Sequence, residues 1–192
     1  VFEHVSLLLS FVYALALTHL LSSATELVIP GKRVRFSGLY TLWAINAAAL
    51  LMVNWIAIYS LTALKQWTPI EVFILFFFAV AQYFTCSTFR VSEHEKNDFV
   101  DLPRLYEQRR LVIFGAFLVL GVIALFENWW DRDNQKGIGP SDWIGEDLSI
   151  VPMIVAVLCA GLARPKWLQW VAGAAMFGLN LFFFLHYTIA AG

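Results

Sequence analysis

Four residues of the first apolar run carry side chains that can hold or move charge: His19, Ser22, Ser23 and Glu26, within THLLSSATEL. Their spacing is i, i+3, i+4, i+7, so in a helix they share one face. An imidazole titrates near neutral pH, and a carboxylate one or two turns away can exchange a proton with it. That chemistry is a path for protons, ions or a small solute. The same four groups serve equally well as a polar seam that hydrogen-bonds one helix to another. A charged side chain near a bilayer centre costs about 2.5–3.5 kcal/mol on insertion scales. This face must therefore meet protein or water rather than acyl chains.

Potential partners recur along the chain. Asn46 and Asn54 lie eight residues apart on the second apolar run, nearly on one face; Gln82, Thr85, Ser87 and Thr88 cluster on the third; Asn180 lies on the sixth. His4 and His186 fall near the same end of the first and last runs, and two histidines on different helices at one depth are a pattern that can ligate haem. No second histidine pair and no haem-attachment motif accompanies them, so no cofactor is expected and haem is the remote alternative. Cys86 and Cys159 lie in apolar runs and read as small packing residues rather than a metal motif or disulfide framework. A glycine-rich phosphate loop, HExxH and G-x-S-x-G are all missing. The acidic cluster Glu93, Glu95, Asp98 and Asp101 reads as a solvated charge run, and an enzyme is not the favoured class.

The elements that must position these residues follow from composition. Of 192 residues, 60% are hydrophobic and only 14% charged, with a mean hydropathy of +0.70. A soluble domain carries about 25% charged residues. The charges gather between six apolar runs, at about 2–29, 39–64, 70–89, 111–128, 148–163 and 167–189. Most approach the roughly 20 residues that cross about 30 Å of hydrocarbon. The fifth is short and contains Pro152, which predicts a kink or a late start. An all-α, six-helix transmembrane bundle forming one domain is the expected fold. The first run lacks a basic segment before it and is too long for a signal peptide, so it reads as a true span. A net charge of −1 offers no footprint for nucleic acid.

Ten of the thirteen basic residues fall in the first, third and fifth connections: Lys32, Arg33, Arg35; Arg90, Lys96, Arg104, Arg109, Arg110; and Arg164, Lys166. Lys65, Arg132 and Lys136 make up the rest. The positive-inside rule puts the richer connections in the cytoplasm and both termini outside. Trp67, Trp129, Trp130 and Trp143 fall at the expected outer boundary, Trp167 and Trp170 at the inner one, where indoles prefer to sit. Thr68-Pro69-Ile70-Glu71 is a helix start with a capping threonine, a first-turn proline and a glutamate three positions after the cap. Residues around 90–110 predict a short surface helix that feeds the fourth span. Gly115, Gly121, Gly173 and the pair Ala174/Gly178 mark faces where helices can approach closely.

The opening FEHVSLLLSFVYALALTHLL, the Trp67-Thr68 pair and DLPRLYEQRRLVIFGAFLVL resemble an uncharacterised family of small bacterial multi-pass integral membrane proteins. The matching residues are Phe2, Glu3, Thr18, His19, Leu20, Leu21, Trp67, Thr68, Asp101, Leu102, Tyr106, Arg109 and Arg110, spread over about the first 125 residues; Pro103 departs from the pattern. The resemblance implies a bacterial inner-membrane location and brings no activity with it.

The leading functional expectation is therefore a channel- or transporter-like protein of the bacterial inner membrane, with His19, Ser22, Ser23, Glu26, Asn46 and Asn54 along a polar path. The alternatives are an accessory subunit, as a homo-oligomer or within a larger membrane complex, and a haem-binding redox protein with His4 and His186 as ligands.

Overall fold

The six helices of the computed structural model distribute polarity in the reverse of a water-soluble protein. The structure describes residues 2–28, 33–58, 67–91, 99–134 and 140–190, with side chains over 3–28, 33–58, 67–91, 99–130 and 150–185. Among these, Asn46, Gln82, Thr85, Gln169 and Asn180 are fully buried, whereas Leu7, Phe11, Phe73, Leu111, Val112 and Phe182 are more than half exposed. In water such a surface would be one continuous apolar patch. In hydrocarbon it is ordinary, and polar groups hide inside because nothing outside can hydrogen-bond them.

The helices are α1 (Phe2–Val28), α2 (Gly38–Ala57), α3 (Pro69–Ser87), α4 (Leu102–Asn134), α5 (Pro140–Leu162) and α6 (Lys166–Ala190); β1 (Arg33–Arg35) and β2 (Phe99–Asp101) are short strands. Five helices contain spans long and apolar enough to cross a membrane, and only 22% to 39% of each span is buried inside the protein. Of α5 the described side chains begin at Ile150, and Ile150–Leu162 is an apolar stretch of the helix.

The capping box at Thr68 forms as its sequence predicts: Thr68 Oγ1 accepts from Glu71 N at 3.4 Å, and the Glu71 carboxylate accepts from Thr68 N at 2.7 Å. Ser37 caps α2 in the same manner, accepting from Tyr40 N. Among the described residues the expected surface helix before the fourth span is not a separate element, and residues 92–98 of that stretch lie outside them. Residues 102–110 are the first turns of one continuous α4. Asp101 accepts from Arg104 N at 3.1 Å, and Pro103 sits in the first turn, where its missing N–H leaves no helical bond unmade. No proline follows within α4, so the helix continues from the charged segment into the apolar one. The part of the second apolar run beyond Ile58 lies outside the described residues.

Around the bundle the order is α1, α3, α4, α5, α6, α2, with α2 packing back on α1 and reaching inward to α3 and α4. The basic connections meet at one end. β1 and β2 pair in parallel, Val34 opposite Val100, and Arg35 reaches Asp101 at 3.4 Å. At the same end Tyr106 Oη donates to Gln169 Oε1 (3.0 Å), while Gln169 Nε2 and Arg110 Nη1 both donate to the Ala163 carbonyl, at 2.9 and 3.3 Å. This half is solid. Trp43, fully buried, stands edge-on between Phe114 (4.7 Å between centroids) and Phe117 (5.5 Å), and Phe89 and Tyr106 extend the cluster. Gly173 permits the close approach of α6 to α2: a Cβ there would lie 2.6 Å from a Leu42 methyl.

Candidate functional site

The other half of the bundle holds a cavity of about 240 Å³ bordered by residues from all six helices. Its wall on α4 is the stripe Phe117, Leu120, Gly121, Ala124, Glu127 and Asn128, the i, i+3, i+4 repeat of one helical face. Met153 and Val157 of α5, Met176 of α6 and Leu9 of α1 complete an apolar enclosure. Among the described residues four polar side chains interrupt it: Tyr13, Asn54, Glu127 and Asn128. The Tyr13 hydroxyl lies within electrostatic reach of the Glu127 carboxylate. Below the cavity the aromatic cluster around Trp43 closes the bundle. An apolar chamber with a few convergent polar groups and one carboxylate is the general form of a small-molecule site.

The residues singled out from sequence fall into three places. On α1 the buried stripe runs Leu9, Tyr13, Ala16, Leu20 and Ser23. His19 and Glu26 flank it half-buried, and Ser22 is exposed. His19 Nε2 lies 2.9 Å from Tyr83 Oη, with the rings edge-on at 5.2 Å, so the imidazole is shielded by α3. None of these four borders the cavity.

Asn46 and Asn54 do not bond to α1. Asn46 Nδ2 donates to the carbonyls of Leu42 and Gly173, both at 3.0 Å, and its Oδ1 accepts from Asn180 at 3.3 Å. Asn54 donates to Gln82 Oε1 at 3.1 Å, and Gln82 Nε2 donates to the Ala47 carbonyl at 3.3 Å. These amides form a seam that ties α2 to α6 on one side and to α3 on the other. Asn54 alone of the six candidates also borders the cavity.

His4 is exposed at the start of α1, and the side chain of His186 lies outside the described residues. Among the described residues no group of three or more His, Cys, Asp or Glu comes together as a metal site. Gly121 and Gly173 pack closely as their positions predict, against Ile154 and Leu42. Gly115 has no neighbour within 4 Å of an added Cβ, nor has Gly178, which with Ala174 faces outward.

No known protein family, curated protein or solved structure matches the chain. Function must be argued from the cavity itself.

Sequence reasoning missed Tyr13, Glu127 and Asn128. Glu127 lies at the end of the fourth apolar run, where the acidic, tryptophan-rich segment ENWWDRD begins, and reads as a boundary residue. The available signal was periodicity: the stripe from Phe117 to Ala124 continues in step through Glu127 and Asn128. Tyr13 was concealed by being one apolar-looking position among many.

Proposed function

We propose that the chain is a six-span protein of the bacterial inner membrane, both termini outside, that admits a small amphipathic cation to the central cavity from the outer face. The ten-to-three division of basic residues supports the orientation, because the connections that carry them share one end of the bundle. The observation that carries the functional reading is the cavity: apolar walls from every helix, one carboxylate, and an aromatic floor. Glu127 stands on that wall at the outer end of an apolar span, and a carboxylate that faces a cavity between such spans is a functional group by default. The volume of about 240 Å³ falls under the ~300 Å³ where drug-sized sites begin, which favours a small solute. This is a transporter-like, one-sided state, with the solute held by Glu127 and the amide of Asn54 rather than by the α1 ladder.

The test uses Ala124→Cys in a Cys86→Ala, Cys159→Ala background, reconstituted in liposomes. A charged, impermeant thiol reagent should label it from the outer side, and hexylammonium should slow that labelling while hexanoate does not. Glu127→Gln should remove the protection, and His19→Ala should leave it intact. Equal protection by hexanoate, or no labelling from outside, would overturn the reading.

A second reading, a subunit packed against another membrane helix, is favoured by Ala174 and Gly178, which present a small-xxx-small surface outward from α6. It predicts recovery in a larger assembly under mild detergent, and replacing Gly178 with leucine should release the chain from that assembly.

A further inference from the structure

A second concavity lies on the outer surface of the ring, between α3 and α4, and shares no residue with the central cavity. It encloses about 950 Å³. Small residues make its floor, Ala81 on α3 and Gly115 and Ala116 on α4; Phe77, Phe84 and Val119 are among its exposed walls. Gly115 is central to its shape, since a side chain there would extend into open space rather than against a neighbour. From Arg109 to Ile123 the groove follows 15 residues of helix, a rise of about 21 Å. One leaflet of hydrocarbon is about 15 Å deep, half of the ~30 Å core.

One end of this groove is apolar and the other is cationic. Arg90 and Arg109 border it at the end where the basic connections meet. Arg109 donates through Nη1 to the carbonyls of Thr88 (3.3 Å) and Arg90, which fixes the guanidinium at the mouth. A bare apolar slot would accept any acyl chain; the paired cations add a preference for a chain that ends in negative charge at the interface.

We propose that this groove binds one anionic phospholipid, its phosphate at Arg90 and Arg109 and an acyl chain along Ala81, Gly115 and Ala116. The lipid would seal the α3–α4 seam from outside, independently of any solute in the central cavity.

Native mass spectrometry of the full chain in neutral detergent, titrated with phosphatidylglycerol or phosphatidylcholine of matched chains, tests this. Phosphatidylglycerol should be retained at least about fivefold more strongly, the worth of one basic side chain near an anionic surface. Arg90→Gln should lower phosphatidylglycerol retention about fivefold and leave phosphatidylcholine unchanged. Gly115→Leu should abolish retention of both, and Glu127→Gln should change neither, which separates the groove from the cavity reading. Equal retention of the two lipids by the parent chain would overturn the proposal, as would wild-type preference in Arg90→Gln. A dimer that Gly115→Leu abolishes and that phosphatidylglycerol does not displace would also overturn it, assigning the groove to a second copy. Should Gly115→Leu fail to fold, Arg90→Gln decides alone.

Discussion

The two halves of this bundle solve the same packing problem in opposite ways. At the end with the basic connections, large aromatics interlock around Trp43, and side-chain amides, a short parallel strand pair and arginine-to-carbonyl bonds tie the connections together. At the other end the same six helices border a chamber, and the only polar groups on its wall among the described residues are Tyr13, Asn54, Glu127 and Asn128. In hydrocarbon no hydrophobic effect pulls helices together, so close contact depends on shape, small residues and interhelical hydrogen bonds. Where Gly173, the Asn46 seam and Gln169 supply those, the bundle is dense. Where they thin out, space remains, and that space is what a function can use.

Substitutions can break or sharpen this contrast. Trp43→Ala should have the largest effect, a loss of about 3–5 kcal/mol for a buried aromatic, read as a lower unfolding midpoint in detergent. Next is a matched pair. Ala160→Leu, at a fully buried site toward the packed end, should cost about 1–3 kcal/mol by overpacking. Ala124→Leu, on the cavity wall, should leave the midpoint unchanged or raise it, because the added side chain has empty space to fill. Equal losses from the two would mean that the halves do not differ in packing. Asn46→Leu removes the partner of Gly173 and Asn180 and should cost about 0.6–2 kcal/mol. Smallest is Arg35→Ala: the arginine side of its ion pair with Asp101 is exposed and the contact is long at 3.4 Å, so a change within about 1 kcal/mol is expected.

The contrast also sorts what could be read in advance. The amides Asn46, Asn54, Gln82 and Asn180 were legible as interhelical glue, because a carboxamide within an apolar run has few other satisfactory environments. Their pairing was not legible. Asn46 could as readily have met His19 as Asn180, and only the ring order, with α2 beside α6, decides between them. His19 was legible as shielded, but not that a tyrosine on α3 shields it. The strands at Arg33–Arg35 and Phe99–Asp101 left no signal, since three residues are too few for a periodicity and their pairing spans a distant connection.

By itself the sequence determined the presence of helices long and apolar enough to cross a membrane, the helical class and the asymmetry of basic charge, because these depend on composition and on regular local spacing. Tertiary structure alone decided the circular order of the helices, the chamber with Glu127 on its wall and the groove with Gly115 on its floor. Periodicity says that a residue lies on a face; which face it then meets depends on the rotation and packing of neighbours far away in the chain.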